Sequence, residues 1–301
     1  MKIVNWKPLP WLIIFVLVGL LLVTLWRAPI SSAMIRYLIW RLTTKATIVS
    51  GHVRAKDVDI HFISYGSGPA VLLLHGGLSN RLSWFAQLPW LVEAGCRVVL
   101  PDIRGHGQSG LGNEELSYHL LAADAVEILD KLGIEQTDVV GWSDGGNTAL
   151  LLGLYWPQRV RRIVAISANF SPAGLTPEAR RETFESNRGT TYWLRRWWTG
   201  AGEHLQALET RIKRMWRRRP NLQPADLARI AAPTLVIVGE TDFVSIAHAR
   251  QLEKDLANGS LAIIPGGHFT PMTHSRRVNG LVADFFGIGT SPVKTNGGGA
   301  D

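Results

Sequence analysis

The sequence contains a single cysteine, Cys96, among its 301 residues, so no disulfide can form within the chain. It shows no cluster of metal-ligand residues, no dinucleotide-binding glycine fingerprint and no phosphate-binding loop. These absences predict that the protein needs neither a metal ion nor another cofactor. Only 19% of the residues are charged and 46% are hydrophobic, which excludes a disordered chain and indicates a globular one with a sizeable core.

One long uncharged run departs from that average composition. Residues 9–26 carry no charge and could cross a hydrocarbon core of about 30 Å, so we expect a transmembrane anchor there. A short basic segment, residues 1–8, precedes it. The alternative is a cleaved signal peptide, with the small residues 31–33 as its cleavage site. We therefore predict a single-pass membrane protein; basic residues flank the run on both sides and do not decide its orientation.

Residues 27–47 are predicted to form an interfacial linker. Within this linker, residues 34–42 place apolar side chains on one helical face, with Arg36 and Arg41 off that face. An ordinary amphipathic helix packed against the rest of the protein is the alternative interpretation.

From residue 48 onward, predicted strands and helices alternate. The predicted strands are apolar runs bounded by turn residues: 58–65, 70–74, 97–100, 138–141, 160–167, 234–239 and 261–264. The helical stretches lie between them, at 82–93, 117–132, 148–155, 247–256 and 276–286. This alternation predicts an α/β fold with a mostly parallel sheet that has helices on both faces.

The alternation is interrupted once. Residues 170–227 are helical in pattern and rich in Arg and Trp, so we expect an inserted helical cap between two parts of the core, residues 48–169 and 228–287. The Gly-, Thr- and Ser-rich residues 288–301 are predicted to be a disordered tail.

The segment Gly141-Trp142-Ser143-Asp144-Gly145 lies between a predicted strand and a predicted helix. A serine at such a turn presents its hydroxyl outside the fold, and flanking glycines relieve backbone crowding. Taken alone, the segment is better explained as an ordinary glycine-rich turn with an incidental serine.

Two further residues follow predicted strands and give the serine a chemical context. Asp242 follows the strand after the cap, and His268 follows the last strand, which gives the order Ser143, acid, base. A histidine base can take the serine proton while the carboxylate orients the imidazole. Glu240 is the alternative acid, and His274 the alternative base.

An attacked carbonyl also needs donors for its developing negative charge. Gly77 follows a buried strand in His75-Gly76-Gly77, where glycines let a backbone N–H approach a ligand closely. We predict an oxyanion hole formed by the N–H groups of Gly77 and Asp144.

Together, these motifs resemble those of the α/β-hydrolase superfamily over about residues 52–287. The segments that carry the resemblance are 73–77, 101–109, 141–146, 239–242 and 267–268. Residues 141–150 look like the valacyclovir hydrolase-like (biphenyl hydrolase-like) branch. The resemblance implies a cofactor-free hydrolase with a helical cap over Ser143, Asp242 and His268. A serine rather than an aspartate at the turn argues against epoxide hydrolases and haloalkane dehalogenases, whose covalent intermediates form on a carboxylate.

The resemblance also suggests a residue that selects the substrate. Asp144 matches a position that recognises a substrate ammonium group in that branch; the favoured alternative is that its carboxylate caps the following helix. Trp142 is a second candidate substrate-binding residue. Residues 104–109 are interpreted as a structural loop near Asp102, and a substrate contact by His106 is the less favoured alternative.

The cap has an unusual charge balance. Between Arg180 and Arg219 there are eleven Arg or Lys residues and four Glu residues, interleaved with aromatic side chains. This pattern suits an anionic membrane surface, or a solvated basic cap whose Trp side chains line the substrate pocket. No nucleic-acid-binding module accompanies the basic residues, so a nucleic-acid partner is not expected.

These observations predict a membrane-anchored serine hydrolase that cleaves a small ester-like substrate through an acyl-enzyme. The scissile bond is a carboxylic ester, with amide and thioester as variants. The alternatives are a carbon–carbon bond hydrolase acting on a diketone, a cofactor-free perhydrolase, and a membrane-associated scaffold without activity. The sequence does not predict the oligomeric state.

Overall fold

The computed structural model describes residues 29–185 and 192–289, and the chain divides into two compact units after Thr44. In the first unit, the described element is helix α1, Pro29–Thr43. The anchor predicted at residues 9–26 lies outside the described residues. Among the helices that are described, none has the length and apolar character needed to span a membrane.

The second unit is built on one eight-stranded sheet. The strands are β1 (Ile48–Ala55), β2 (Val58–Tyr65), β3 (Ala70–Leu74), β4 (Arg97–Pro101), β5 (Thr137–Trp142), β6 (Val160–Ile166), β7 (Thr234–Gly239) and β8 (Gly259–Ile264). Their order across the sheet is β1, β2, β4, β3, β5, β6, β7, β8. β1 pairs with β2, and β2 with β4, in antiparallel fashion, whereas all other neighbours are parallel. The mostly parallel sheet predicted from the sequence is confirmed.

Strand β1 is the one strand that the sequence pattern did not predict. Most of its side chains are exposed or half-buried, because it lies at the edge of the sheet. By contrast, every residue of β3, β5 and β7 is buried, which explains their continuous apolar runs. An edge strand with Gly51, His52 and Arg54 lacks that signal.

The described helices of this unit follow the predicted order. They are α2 (Leu88–Glu93), α3 (Tyr118–Lys131), α4 (Asp144–Tyr155), α5 (Pro177–Glu185), α6 (Tyr192–Thr199), α7 (Leu205–Arg218), α8 (Pro224–Leu227), α9 (Ile246–Asp255), α10 (Thr270–Thr273) and α11 (Ser275–Phe286). Helices α5 to α8 lie within the predicted cap. The tail predicted to be disordered begins at residue 288, and its residues 290–301 lie outside the described part of the chain.

The helix predicted at 82–93 is divided in two. A 3₁₀ turn, Arg81–Trp84, precedes α2, and the Asn80 side chain caps this turn by accepting a hydrogen bond from the Leu82 N–H at 2.6 Å. A proline then starts α2, where its fixed φ and missing N–H are tolerated.

A buried arginine fixes the loop that follows β4. The guanidinium of Arg104 is fully buried and donates two hydrogen bonds of 2.7 Å to Asp124 on α3. It also donates to the Asp57 carboxylate at 2.6 Å and to the Ala55 carbonyl at 3.1 Å. These contacts tie the loop to the β1–β2 turn and to α3. The buried cation is therefore compensated on several sides.

We expect Arg104→Ala to lower the free energy of unfolding by about 3–5 kcal/mol, because it leaves the buried Asp124 carboxylate without its partner. The matched control is Arg54→Ala, which breaks an exposed 3.5 Å pair with Asp59 and should cost less than about 1 kcal/mol. Equilibrium denaturation in urea measures both. Equal losses of unfolding free energy in the two variants would show that the buried network of Arg104 contributes no more to stability than the exposed pair.

Candidate active site

The serine lies at a sharp turn between β5 and α4. Ser143 has φ 56° and ψ −120°, a conformation that L-residues rarely adopt. A Cβ at Gly141 would collide with the Gly145 carbonyl, and a Cβ at Gly145 would collide with the carbonyl of Leu74 on β3. Both glycines are therefore required by the close approach of strand and helix, and they hold the strained serine at the carboxyl edge of the sheet.

Three side chains from three different loops meet at this edge. The Ser143 Oγ lies 2.9 Å from His268 Nε2, and His268 Nδ1 lies 2.7 Å from Asp242 Oδ1. The structure thus brings together the three residues that the strand order predicted. An imidazole placed between a hydroxyl and a carboxylate can accept a proton on one nitrogen while the other stays hydrogen-bonded.

Asp242 is buried and well supplied with donors. Its Oδ2 accepts hydrogen bonds from Ser167 Oγ at 2.6 Å and from the Gly239 N–H, and its Oδ1 accepts from the Val244 N–H. Burial alone would raise its pKa, but the hydrogen bond and charge of His268, together with these donors, hold the pKa of Asp242 below its usual value. The group is therefore a carboxylate at neutral pH.

The alternative acid and base lie elsewhere. Glu240 is exposed, and His274 makes a 3.0 Å contact through its Nδ1 with the hydroxyl of Thr273. Neither side chain is among the described residues that line the cavity in front of Ser143. The geometry favours Asp242 and His268 for these roles.

Gly77 and Asp144 line the same cavity as the serine. In the described part of the chain, the N–H groups of Gly77 and Asp144 donate no hydrogen bond to a protein acceptor. The neighbouring Gly76 packs closely against the serine, since a Cβ at residue 76 would lie 3.2 Å from the Cβ of Ser143. The arrangement leaves two donors available beside the nucleophile, as an oxyanion hole requires.

Two buried histidines fix the loop that contains Gly77. His106 Nε2 accepts a 3.0 Å hydrogen bond from the Leu78 N–H, and His75 Nε2 accepts one of 3.0 Å from the Ile103 N–H. Burial lowers the pKa of both rings, that of His75 to about 3, so each is neutral and can accept at Nε2. His106 is fully buried and positions the loop rather than lining the cavity, as expected for a structural residue.

The carboxylate of Asp144 makes contacts that the sequence did not predict. It accepts hydrogen bonds from Tyr118 Oη at 2.8 Å and from Trp216 Nε1 at 2.7 and 2.8 Å. Neither of these donors is a backbone N–H of α4. Burial raises the pKa of Asp144 to about 6, although hydrogen bonds from Trp216 and Tyr118 oppose the rise. The structure therefore places the carboxylate in the first turn of α4, where the helix dipole favours it, and adds two donors from outside that helix.

Aromatic side chains dominate the rest of the cavity. Phe243 stacks on the His268 ring with centroids 4.6 Å apart, and Phe269 packs against the same ring edge-on. Trp142 lines the cavity and donates a 2.7 Å hydrogen bond from Nε1 to the His268 carbonyl. Arg219, directly after α7, contributes an exposed cation to the lining. The cavity suits an apolar substrate with a polar reacting group.

Sequence reasoning missed Tyr118, Ser167 and Trp216. Tyr118 opens α3 and Trp216 belongs to the cap, so their contact with Asp144 joins residues that are far apart in the chain. The aromatic content of the cap was the available signal, because it indicated that some Trp side chains line the pocket.

Comparison with known proteins finds relatives that share the fold. Residues 69–192 match the family described as alpha/beta hydrolase fold. A bifunctional epoxide hydrolase 2 of Sus scrofa is 39% identical over 126 residues, which are 41% of this chain and 23% of that protein. A 2-hydroxy-6-oxo-6-phenylhexa-2,4-dienoate hydrolase of Burkholderia cepacia is 28% identical over 280 residues, which are 82% of this chain and 98% of that protein.

A solved structure with the same fold extends over more of the chain. A bacterial membrane phospholipase A has a TM-score of 0.68 and 19% identity, and the match covers 93% of this chain and 98% of that one. At this identity the likeness shows the fold alone. The resemblance to α/β hydrolases is confirmed, and the relatives include a biphenyl-type hydrolase.

The pKa of Asp144 yields a prediction for stability. Because its folded-state pKa of about 6 lies above the unfolded value, ionisation of this carboxylate favours unfolding. The stability it contributes is present below about pH 4 and is lost as the pH rises through about 6. We expect Asp144→Asn to gain up to ~3 kcal/mol relative to the parent protein between pH 4 and pH 8.

Urea denaturation at a series of pH values measures this difference, with circular dichroism as the control that both proteins are folded at each pH. A difference that stays constant from pH 4 to pH 8 would contradict the raised pKa.

Proposed function

We propose that this protein, which has the α/β-hydrolase fold, is a serine hydrolase that cleaves a carboxylic ester through an acyl-enzyme. The observation that carries the proposal is the chain of contacts from Ser143 through His268 to Asp242. The free N–H groups of Gly77 and Asp144 support it, because acyl transfer needs donors at the developing oxyanion.

In the proposed reaction, the Ser143 hydroxyl attacks the ester carbonyl and its proton passes to His268 Nε2. Asp242 keeps the ring in the tautomer that protonates Nδ1 and stabilises the imidazolium. The N–H groups of Gly77 and Asp144 hold the oxyanion. His268 then gives its proton to the leaving alcohol, and water, activated by the same histidine, releases the acid from Ser143.

Cleavage of a carbon–carbon bond is the second candidate reaction. The Burkholderia cepacia relative, whose name describes a dienoate hydrolase, aligns over nearly its whole length and supports this alternative. The epoxide hydrolase relative carries less weight, because the match covers 23% of its length and this chain has a serine hydroxyl at the turn. Perhydrolase activity remains a prediction from the sequence.

We also propose that the protein is held at a membrane by residues 9–26. The support is the uncharged run itself, which is long enough for a span. Carbonate extraction of membranes tests this proposal. Full-length protein should stay in the membrane pellet if residues 9–26 are an anchor, and a shortened protein should be released if they are a cleaved segment.

We expect Ser143→Ala to abolish covalent labelling by a fluorophosphonate probe and to lower ester hydrolysis by at least about 10³-fold, because the nucleophile is lost. Ser260→Ala, at an exposed serine of β8, is the matched control and should label like the parent protein. Gel fluorescence and hydrolysis of short p-nitrophenyl esters measure the two effects.

Two outcomes would contradict the proposal. Undiminished labelling of Ser143→Ala would show that another residue is the nucleophile. Cleavage of a vinylogous diketone without measurable cleavage of esters, lost in Ser143→Ala, would support the carbon–carbon hydrolase instead.

A further inference from the structure

Helix α6 of the cap presents an unusual surface to solvent. Three large apolar side chains on this helix are strongly exposed: Trp193 at 70%, Leu194 at 66% and Trp197 at 76%. They occupy positions i, i+1 and i+4, so they share one side of the helix. Among the described residues of the second unit, no other large apolar side chain exceeds 52% exposure. Exposed apolar groups gathered in this way indicate an interaction surface.

The charge around these side chains is positive. The guanidinium of Arg196 lies over the Trp193 ring, 5.5 Å from its centroid. On the following helix, α7, Arg214, Arg217 and Arg218 are exposed. Between residues 180 and 219 the chain has eleven basic and four acidic residues. An acidic partner surface would complement this cap.

Several contacts hold α6 in place without burying this face. Arg195 pairs with the largely buried Glu209 on α7 at 3.3 Å, and the Gly107 N–H donates to the Thr199 carbonyl at 2.9 Å. The Asn80 side chain donates to the Trp198 carbonyl. Asn80 lies three residues after Gly77, so α6 is next to the loop of the candidate oxyanion hole. The exposed face therefore lies on a fixed helix beside the active site.

We propose that the α6 face, defined as Trp193, Leu194, Arg196 and Trp197, docks on an anionic lipid bilayer. Tryptophan is favoured at headgroup depth, where its ring is apolar and its N–H is polar. Arginine beside it can bind lipid phosphate while its stem covers apolar surface. The combination of exposed tryptophans with surplus positive charge fits this occupant. Docking would place the active-site edge next to the lipid.

A site-specific probe on the full chain tests the proposal. In a Cys96→Ala background, Leu194→Cys is labelled with a polarity-sensitive fluorophore, which leaves both tryptophans of the face intact. Tyr155→Cys is the matched control: Tyr155 is 49% exposed and lies at the other end of α4, about 18 Å from Ser143. Any N-terminal anchor brings both labels to the vesicle, so the comparison isolates the cap.

With vesicles of phosphatidylglycerol and phosphatidylcholine that contain a doxyl-labelled lipid, we expect a blue shift and quenching at position 194 and neither at 155. Raising the salt to 1 M shortens the screening length to about 3 Å and should reduce the effect. Arg196→Gln should weaken docking about fivefold. Replacing both tryptophans, Trp193→Ser with Trp197→Ser, should abolish it while circular dichroism stays unchanged.

Three results would overturn the proposal. The first is an equal response at positions 194 and 155. The second is an equal response on purely phosphatidylcholine vesicles at low salt, which would exclude a preference for anionic lipid. The third is a response at position 194 without lipid that grows with protein concentration, which would assign the face to contact between copies of the chain. None of these readouts depends on hydrolase activity.

Discussion

At the end of β5, the backbone of this strand, that of helix α4 and that of strand β3 lie so close together that two positions accept only glycine. Gly141 faces the Gly145 carbonyl, and Gly145 faces the carbonyl of Leu74. This crowding leaves Ser143 in a conformation with positive φ, which costs on the order of 1–3 kcal/mol and is compensated by the surrounding sheet. The hydroxyl, the adjacent N–H of Asp144 and the cavity all take their positions from this turn.

Asp144 connects the turn to the cap. It lines the cavity beside Ser143, and its carboxylate accepts hydrogen bonds from Trp216 on α7 and Tyr118 on α3. Gly77 fits against this carboxylate because it lacks a Cβ. One residue thus joins the nucleophile turn, the predicted oxyanion hole and the cap. Recognition of a substrate ammonium by Asp144 stays a prediction, and such a group would share the carboxylate with Tyr118 and Trp216.

Much of the core and of the site could be predicted because both follow from local patterns. Strands buried on both faces are continuous apolar runs, and the ends of parallel strands collect polar residues at one edge, so Ser143, Asp242 and His268 could be placed in order. The edge strand β1 lacks such a run. The pairing of Asp144 with Trp216 joins residues 72 positions apart, so no local pattern could predict it, whereas its place at a helix start could be predicted.

The tryptophans of the cap lie in two different environments, the cavity and the solvent-exposed surface. Trp216 reaches the cavity and hydrogen-bonds to Asp144, whereas Trp193 and Trp197 remain in solvent on the preceding helix. The 3.3 Å pair between Arg195 and the largely buried Glu209 joins these two helices. One helix therefore carries the exposed face, and the next, paired with it, carries a donor to the carboxylate beside the nucleophile.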